Sequence, residues 1–167
     1  MSTKPILFHD IDGVLFGEYG GEFQLRPGVK TWLKWAHEHF EVVWLTSWPP
    51  EKIRALLNVV YSEKFLKISP APLVQCPDWG QCATKPAWIS QSVAALSGRD
   101  WFWIDDDVSS YANEIEALKL PKIRCIQVSA KGAEALGELR DRLERLRYDE
   151  VVKALLEAGG KTVGIKP

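Results

Sequence analysis

Residues 5–16 read P-I-L-F-H-D-I-D-G-V-L-F, an apolar run that ends in two aspartates and a glycine. The run predicts a short buried strand over residues 5–10, with Asp10 and Asp12 at its end. Removing a carboxylate from water is costly unless a cation or hydrogen-bond donors meet it. The stretch therefore raises the question of which positive charge these two aspartates face.

Beyond this strand, the chain alternates between segments with strand patterns and segments with helix patterns. Strands are predicted over residues 5–10, 40–47, 99–107 and 123–128, with a short one around Leu73–Gln75, and helices over residues 27–39, 51–60, 85–97, 109–119, 133–147 and 149–157. Glycines and alternating apolar residues over 13–25 predict a small hairpin-like flap. The alternation predicts an α/β fold, a three-layer Rossmann-like parallel sheet with helices on both faces.

Length and composition are those of an ordinary single domain. The chain has 167 residues, 46% of them apolar, and a formal net charge of −1, which gives no global electrostatic reason to bind nucleic acid. No apolar stretch is long enough to cross a bilayer, the first residues show no signal-peptide pattern, and three cysteines do not make a disulfide framework. We expect one cytoplasmic domain over residues 1–167, with a core over 5–147, a C-terminal helix and tail over 148–167, and no membrane contact.

Three predicted strands end in polar side chains, at Asp10, Thr46 and Asp105. Because ligands of parallel sheets bind beyond the carboxyl ends of the strands, we expect these side chains to converge on one crevice. A cluster of carboxylates needs a cation, and oxygen ligands without nitrogen or sulfur favour Mg²⁺. A carboxylate beside a metal can attack phosphorus, and a second acid two residues on can transfer the proton.

Two more segments supply groups that suit a phosphate. Thr46 and Ser47 offer hydroxyl and backbone N–H groups, and Lys85 places a positive charge at the start of a predicted helix, whose free N–H groups attract anions. Each feature also has an ordinary structural explanation. Thr46 and Ser47 could cap a helix, Lys85 could be an exposed helix residue, and Asp10 and Asp12 could form a solvated turn.

Four segments together resemble the motifs of the haloacid dehalogenase superfamily. They are D-I-D-G-V-L at residues 10–15, W-L-T-S at 44–47, Lys85, and W-I-D-D-D at 103–107, in the family's order and structural context. The resemblance covers residues 5–128 and implies a Mg²⁺-dependent phosphatase that forms an aspartyl phosphate. An acid at the second position, Asp12, favours phosphoryl transfer over the dehalogenation that also occurs in the superfamily.

The resemblance assigns roles to the matching residues. Asp10 would be the nucleophile and a Mg²⁺ ligand, and Asp12 would be the general acid/base with its backbone carbonyl on Mg²⁺. Thr46 would bind the phosphoryl group, and Lys85 would stabilise both nucleophile and phosphate. The candidate substrate-binding residues are Gly13, Thr46, Ser47, Trp48 and Lys85.

The last motif offers three consecutive acids. The resemblance implies that Asp106 is the acidic Mg²⁺ ligand and that Asp105 supports it, with the register open by one residue. Asp107 is expected to start the following helix, where an acid is favourable. His9 alternates with Asp10 along the strand, so we expect it to face away as a core histidine with a satisfied side chain.

The gaps between the motifs are too short for the large cap domain that many superfamily members carry. The resemblance therefore implies an open site, which admits large substrates such as a nucleic-acid end, a phosphoprotein or a nucleotide, as well as a small phosphorylated molecule. A narrower likeness, in W-L-T-S-W, the short T-K-P-A before a helix and W-I-D-D-D, is to a group of these domains proposed to act as phosphatases in RNA repair. Trp48 and Trp79, both in predicted loops, could stack a base or only pack against their loops.

Three functions stay open on the sequence alone. The first is a phosphomonoester hydrolase, the second a 3′- or 5′-phosphatase for nucleic-acid ends, and the third a phosphate-binding regulatory module without turnover. In each case we expect a monomer or weak dimer with no obligate protein partner.

Overall fold

A computed structural model describes residues 4–19, 21–62, 82–95, 98–132 and 135–159 of the protein. Its strands and helices are β1 (Ile6–His9), β2 (Phe16–Tyr19), β3 (Glu22–Leu25), α1 (Val29–His39), β4 (Glu41–Trp44), α2 (Pro50–Val60), α3 (Lys85–Ala94), β5 (Trp101–Asp105), α4 (Ala112–Ala117), β6 (Cys125–Gln127) and α5 (Ala135–Gly159). Short 3₁₀ helices, Val108–Tyr111 and Lys122–Arg124, precede α4 and β6. The strand predicted around Leu73–Gln75, and Trp79, lie outside the described residues.

The described core is a four-stranded parallel sheet in the order β4-β1-β5-β6. This confirms the predicted α/β fold with a Rossmann-like sheet. The chain goes from β1 to β4 on one side and later returns to β5 on the other side of β1. Such a reversal of strand order opens a crevice at the carboxyl ends of the two central strands, which is where ligands bind in these sheets.

Successive side chains of each strand point to opposite faces of the sheet, and helices cover both faces. The first face packs against α1, α2 and α5 through Leu7, Val42, Trp44, Phe102, Ile104 and Ile126. The second face packs against α3 and α4 through Ile6, Phe8, Val43, Trp101, Trp103 and Cys125. The three layers predicted from the sequence are therefore present in the described residues.

The predicted flap is an antiparallel hairpin of β2 and β3, which pairs Phe16 with Leu25 and Glu18 with Phe23. It begins directly after the turn that carries Asp12, and a single bridge joins Asp12 to Phe16. Between β1 and β4 the described residues form the flap and α1, which leaves no room there for a cap domain.

The C-terminal segment is one helix, so the predicted break near residue 148 is wrong. Arg147, Tyr148 and Asp149 include no glycine or proline that would end a helix, and α5 runs through them without interruption. The expected division between a core ending at residue 147 and a separate helix thus falls inside α5. Although α5 has 25 residues, neither it nor another described helix is long and apolar enough to cross a membrane.

Leu143 gives a direct test of how α5 packs on the sheet. Its side chain is fully buried in the first-face core, whereas Leu146 on the next turn is only partly buried. We expect Leu143→Ala to lower the free energy of unfolding by about 2–5 kcal/mol, because it leaves a cavity under the helix. The control Leu146→Ala should cost clearly less in the same urea titration, and equal losses would contradict this packing.

Candidate active site

The ends of β1 and β5 and the start of α3 meet at the carboxyl edge of the sheet. Asp10 follows β1 directly, and its backbone N–H donates to the carbonyl of Ile104 at 3.1 Å. Asp105 is the last residue of β5. Lys85, the first residue of α3, lies between them, with Nζ 3.0 Å from Oδ2 of Asp10 and 2.7 Å from Oδ2 of Asp105.

Lys85 is buried, so its alternative interpretation as an exposed helix residue is wrong. Burial alone lowers the pKa of Lys85, but the carboxylates of Asp10 and Asp105 more than offset this and hold the pKa above its usual value. The helix start is fixed by its cap residue, Thr84, whose hydroxyl oxygen accepts from the N–H of Ala87 at 3.3 Å. The same hydroxyl donates to Glu114 on α4, which anchors the end of α3 that carries the lysine.

Three carboxylates form one cluster at this edge. Asp10, Asp105 and Asp106 each place a carboxylate oxygen within 4.8 Å of the others. Both oxygens of Asp105 are already engaged, one by Lys85 and the other by the N–H of Asp107 at 2.9 Å. In contrast, Oδ1 of Asp10 is buried and finds no hydrogen-bond donor among the described residues.

The environment disfavours the charged form of two of these acids. Burial is the main cause that raises the pKa of Asp10 to about 7; the Asp105 carboxylate raises it further and Lys85 opposes. Burial, followed by Asp105, also raises the pKa of Asp106. Raised carboxylate pKa values in a crevice are typical of functional sites.

The cluster fits a divalent cation. If Asp10, Asp105 and Asp106 are all ionised, Lys85 neutralises one charge and a 2+ ion would neutralise the other two. The donors are all carboxylate oxygens, which suits Mg²⁺ better than the softer transition metals. The buried Oδ1 of Asp10, which lacks a donor among the described residues, is an atom that such an ion would satisfy.

Asp12 lies close in sequence, but its side chain is not part of the carboxylate cluster. Its Oδ2 accepts a hydrogen bond from the indole Nε1 of Trp48 at 2.5 Å. Trp48 is half-buried and packs against Phe16 of the flap, with ring centroids 5.7 Å apart. The two aspartates of the opening motif therefore have different surroundings, one in the buried ionic cluster and the other beside aromatic rings.

The loop after β4 brings Thr46 to the same edge. Thr46 is buried, and its hydroxyl oxygen accepts from the backbone N–H of Trp48 at 3.3 Å. Ser47 is exposed. The cap residue of α2 is Pro49, without a side-chain hydrogen bond from a described residue, so neither Thr46 nor Ser47 caps this helix and that alternative is wrong.

Gly13 has a steric role at the turn that follows Asp12. Its φ is +65°, in the left-handed region that favours glycine. A Cβ atom built at Gly13 would overlap with the carboxylate group of Asp106. Glycine at this position therefore allows Asp106 to reach the cluster. The sequence predicted only a substrate-binding role for Gly13 and not this steric one.

The turn after β5 separates the three acids at 105–107. Asp105 and Asp106 join the cluster, while Asp107 is exposed and precedes the 3₁₀ helix, where it accepts from the Ser110 hydroxyl. This agrees with the expectation that Asp107 starts the next helix. Gln127 of β6 holds the turn, because its amide donates to the Asp106 carbonyl and accepts from the N–H of Ser109.

His9 is a buried core histidine that faces away from the Asp10 side chain, as predicted. Trp32 donates its indole N–H to Nε2 of His9 at 2.8 Å. Because indole is only a donor, Nε2 is the acceptor and Nδ1 carries the proton, which it donates to the Asp10 carbonyl. Burial lowers the pKa of His9 to about 3, so the ring stays neutral and supports the backbone beneath Asp10.

Arg26 is a site residue that the sequence interpretation missed. Its guanidinium is buried and donates to the carbonyls of Val14 at 2.8 Å and Gly13 at 2.5 Å, just after Asp12. It also donates to Ser129 at 2.8 Å and to Gly132, in the loop after β6. The only local signal is an arginine before proline at the end of the flap, which does not indicate burial.

The raised pKa of Asp10 predicts how stability depends on pH in metal-free protein. Between its ordinary pKa of 3.8 and the folded value of about 7, folded Asp10 holds a proton that the unfolded chain has lost. Asp10 therefore makes its full contribution to the free energy of unfolding below pH about 3.8, and this contribution is lost as the pH rises to about 7. Relative to Asp10→Asn, the free energy of unfolding of the wild type should fall over this range in urea titrations with a chelator.

Saturating Mg²⁺ should make the difference in free energy of unfolding between the wild type and Asp10→Asn less dependent on pH, because the cation favours the ionised carboxylate. A wild-type free energy of unfolding that differs from that of Asp10→Asn by the same amount at every pH would contradict the prediction.

Gly13→Ala tests whether the close approach of Asp106 matters for a cation. Gly28 is the matched control, because its φ is +83° and no described heavy atom lies within 4 Å of a Cβ built there. Both substitutions strain the backbone, but only Gly13→Ala should displace a carboxylate of the cluster. We expect Gly13→Ala to weaken Mg²⁺ binding about 10- to 100-fold in calorimetric titrations, whereas Gly28→Ala should only lower stability. Equal Mg²⁺ affinities in the two variants would argue against a cation at Asp106.

Comparisons with protein-family models, with curated proteins and with solved structures found no match for this chain. What the site can do therefore follows from its own residues, namely a buried lysine, three clustered carboxylates and a fourth carboxylate held by tryptophan.

Proposed function

We propose that the chain is a Mg²⁺-dependent phosphomonoester hydrolase of the haloacid dehalogenase type, with Asp10 as the nucleophile. The observation that carries this proposal is the Asp10 carboxylate, buried beside Lys85 and two further aspartates, with Oδ1 lacking a hydrogen-bond donor among the described residues. A buried oxygen left without a donor serves no structural purpose and costs stability. It is suited to a cation or to an electrophile.

The buried cluster suits the phosphoryl group. Lys85 would contact the phosphoryl oxygens while it holds the Asp10 carboxylate in place, and the buried hydroxyl of Thr46 would contact them from the loop after β4. Mg²⁺, held by Asp10 and Asp106 with Asp105 in support, would offset the negative charge that otherwise repels a phosphate from three carboxylates. The positive groups are needed because an anionic nucleophile must approach an anionic substrate.

The reaction would proceed in two steps. In the first, a carboxylate oxygen of Asp10 forms a bond to phosphorus, the bond between phosphorus and the ester oxygen breaks, and protonated Asp12 gives its proton to the leaving oxygen. In the second, the Asp12 carboxylate takes a proton from water, which attacks the phosphorus of the aspartyl phosphate and releases inorganic phosphate. Asp10 and Asp12 are then both restored.

The separate surroundings of the two aspartates support this division of roles. Asp10 is held by Lys85 in a buried ionic cluster, as a nucleophile that meets a phosphoryl group should be. Asp12 is half-buried and held by the Trp48 indole, outside that cluster and nearer to the flap. The order of the four motifs along the chain, and the lack of a cap between β1 and β4, support the same assignment by resemblance.

A phosphate-binding module without turnover is the rival from another functional class. The loss of a nucleophile or of the lysine would have favoured it, and this chain retains Asp10 and Lys85. Binding of phosphate esters without release of phosphate, across a broad panel of esters with Mg²⁺, would favour the module over the enzyme.

The test compares two variants that each remove one carboxylate after a strand of the sheet. Asp10→Asn should lower the Mg²⁺-dependent hydrolysis of a simple aryl phosphate by roughly three orders of magnitude or more, because the amide is not a nucleophile. Asp107→Asn should keep wild-type rates, because Asp107 is exposed and outside the cluster. Steady-state assays with and without Mg²⁺ measure both, and equal activity in wild type and Asp10→Asn would exclude the proposed mechanism.

A further inference from the structure

A row of three aromatic rings leads from Asp12 to the surface of the flap. Trp48, which donates to Asp12, packs on Phe16 with centroids 5.7 Å apart. Phe16 in turn stacks on Phe23, with centroids 5.8 Å apart and ring planes only 11° from parallel. The row thus begins at the candidate acid/base and ends on the hairpin.

The outermost ring of this row contributes little to the fold. Phe23 is 66% exposed, whereas Phe16 and Trp48 pack against the core from the inside of the row. Phe16 and Phe23 are diagonal neighbours on one face of the hairpin, which fixes their stacked arrangement through strand pairing. Most of the Phe23 ring is therefore held in a defined position and open to solvent.

We propose that this aromatic row is a subsite for the base of a nucleoside monophosphate, an inference that rests on the proposed phosphatase activity. Asp12 would protonate the leaving group, so the leaving group lies on the Asp12 side of the phosphate and extends toward Trp48 and the flap. A planar ring that stacks on Phe23 continues the row. Stacking on aromatic side chains is how proteins bind bases without reading their identity.

The spacing of the rings favours a base over a simple aryl group. Two ring-to-ring steps separate Trp48 from Phe23. The leaving oxygen would lie beside Asp12, so a ring bonded directly to it would lie next to Trp48, whereas a ring carried on a ribose would lie farther along the row. The subsite is therefore assigned to nucleoside phosphates rather than to aryl phosphates.

The charge of the flap favours a single nucleotide over a nucleic-acid end. Residues 16–25 include Glu18 and Glu22 and no lysine or arginine. Glu18 pairs directly with Phe23, which places its carboxylate on the same face of the hairpin. A carboxylate there can accept from the N–H groups of a base, but it repels the chain of phosphates that a polynucleotide would bring past the flap.

The experiment compares substrates that differ only in the base. With Mg²⁺, the wild type should hydrolyse adenosine 5′-monophosphate with a kcat/KM about tenfold above that for ribose 5-phosphate. Phe23→Ala should bring this ratio close to one, and Phe23→Tyr, which keeps the ring, should restore it. Ile123→Ala is the control, because Ile123 is 59% exposed but precedes β6 at the opposite edge of the sheet.

A wild-type ratio near one, or a ratio that survives Phe23→Ala, would overturn the subsite while leaving the phosphatase in place. A 5′-phosphorylated oligonucleotide that is a better substrate than the mononucleotide would overturn it as well. If no ester is hydrolysed, the proposed function fails, and calorimetric affinities for the same two monophosphates decide the subsite. A higher affinity for adenosine 5′-monophosphate that Phe23→Ala removes would support it, and equal affinities would overturn it.

Discussion

The buried ion pairs of Lys85 with Asp10 and Asp105 are the interaction on which the arrangement of the site depends. They join the ends of two central strands to the start of α3, three points far apart in the sequence. Such a buried network is weak evidence for stability, because the cost of removing charges from water offsets much of their attraction. The raised pKa of Asp10 shows that burial and Asp105 outweigh the benefit from Lys85. In the proposed function, Mg²⁺ would supply the further positive charge that stabilises the ionised carboxylate.

Much of this arrangement could be predicted from the sequence, because it follows from local patterns and one rule of topology. The apolar run before Asp10 and the W-F-W-I run before Asp105 identify two buried strands. In a parallel sheet the ends of such strands lie at one edge, so the meeting of the two acids needs no knowledge of tertiary contacts. The alternation of strand side chains likewise predicts that His9 faces away from the site, as it does.

The contacts that fix the loops could not be predicted, because they join residues that no periodic pattern relates. Arg26 connects the turn after Asp12 with carbonyls of Ser129 and Gly132, more than 100 residues away in the chain. The bond from Trp48 to Asp12 depends on how two loops approach each other. The choice among three consecutive acids depends on the turn after β5, which places Asp106 in space that only a glycine at position 13 leaves open.

Asp10 and Asp12 lie in surroundings of different polarity, and this difference divides the site into two sides. On the Asp10 side lie a lysine and carboxylates, which suit a phosphoryl group and a cation. On the Asp12 side lie the rings of Trp48 and Phe16, which suit a planar apolar group rather than a phosphate. A substrate that matches both sides carries a compact charge at one end and a planar apolar surface at the other. In the proposed reaction this division would constrain both ends of the substrate, and it arises from the two-residue spacing of the aspartates with a turn at Gly13.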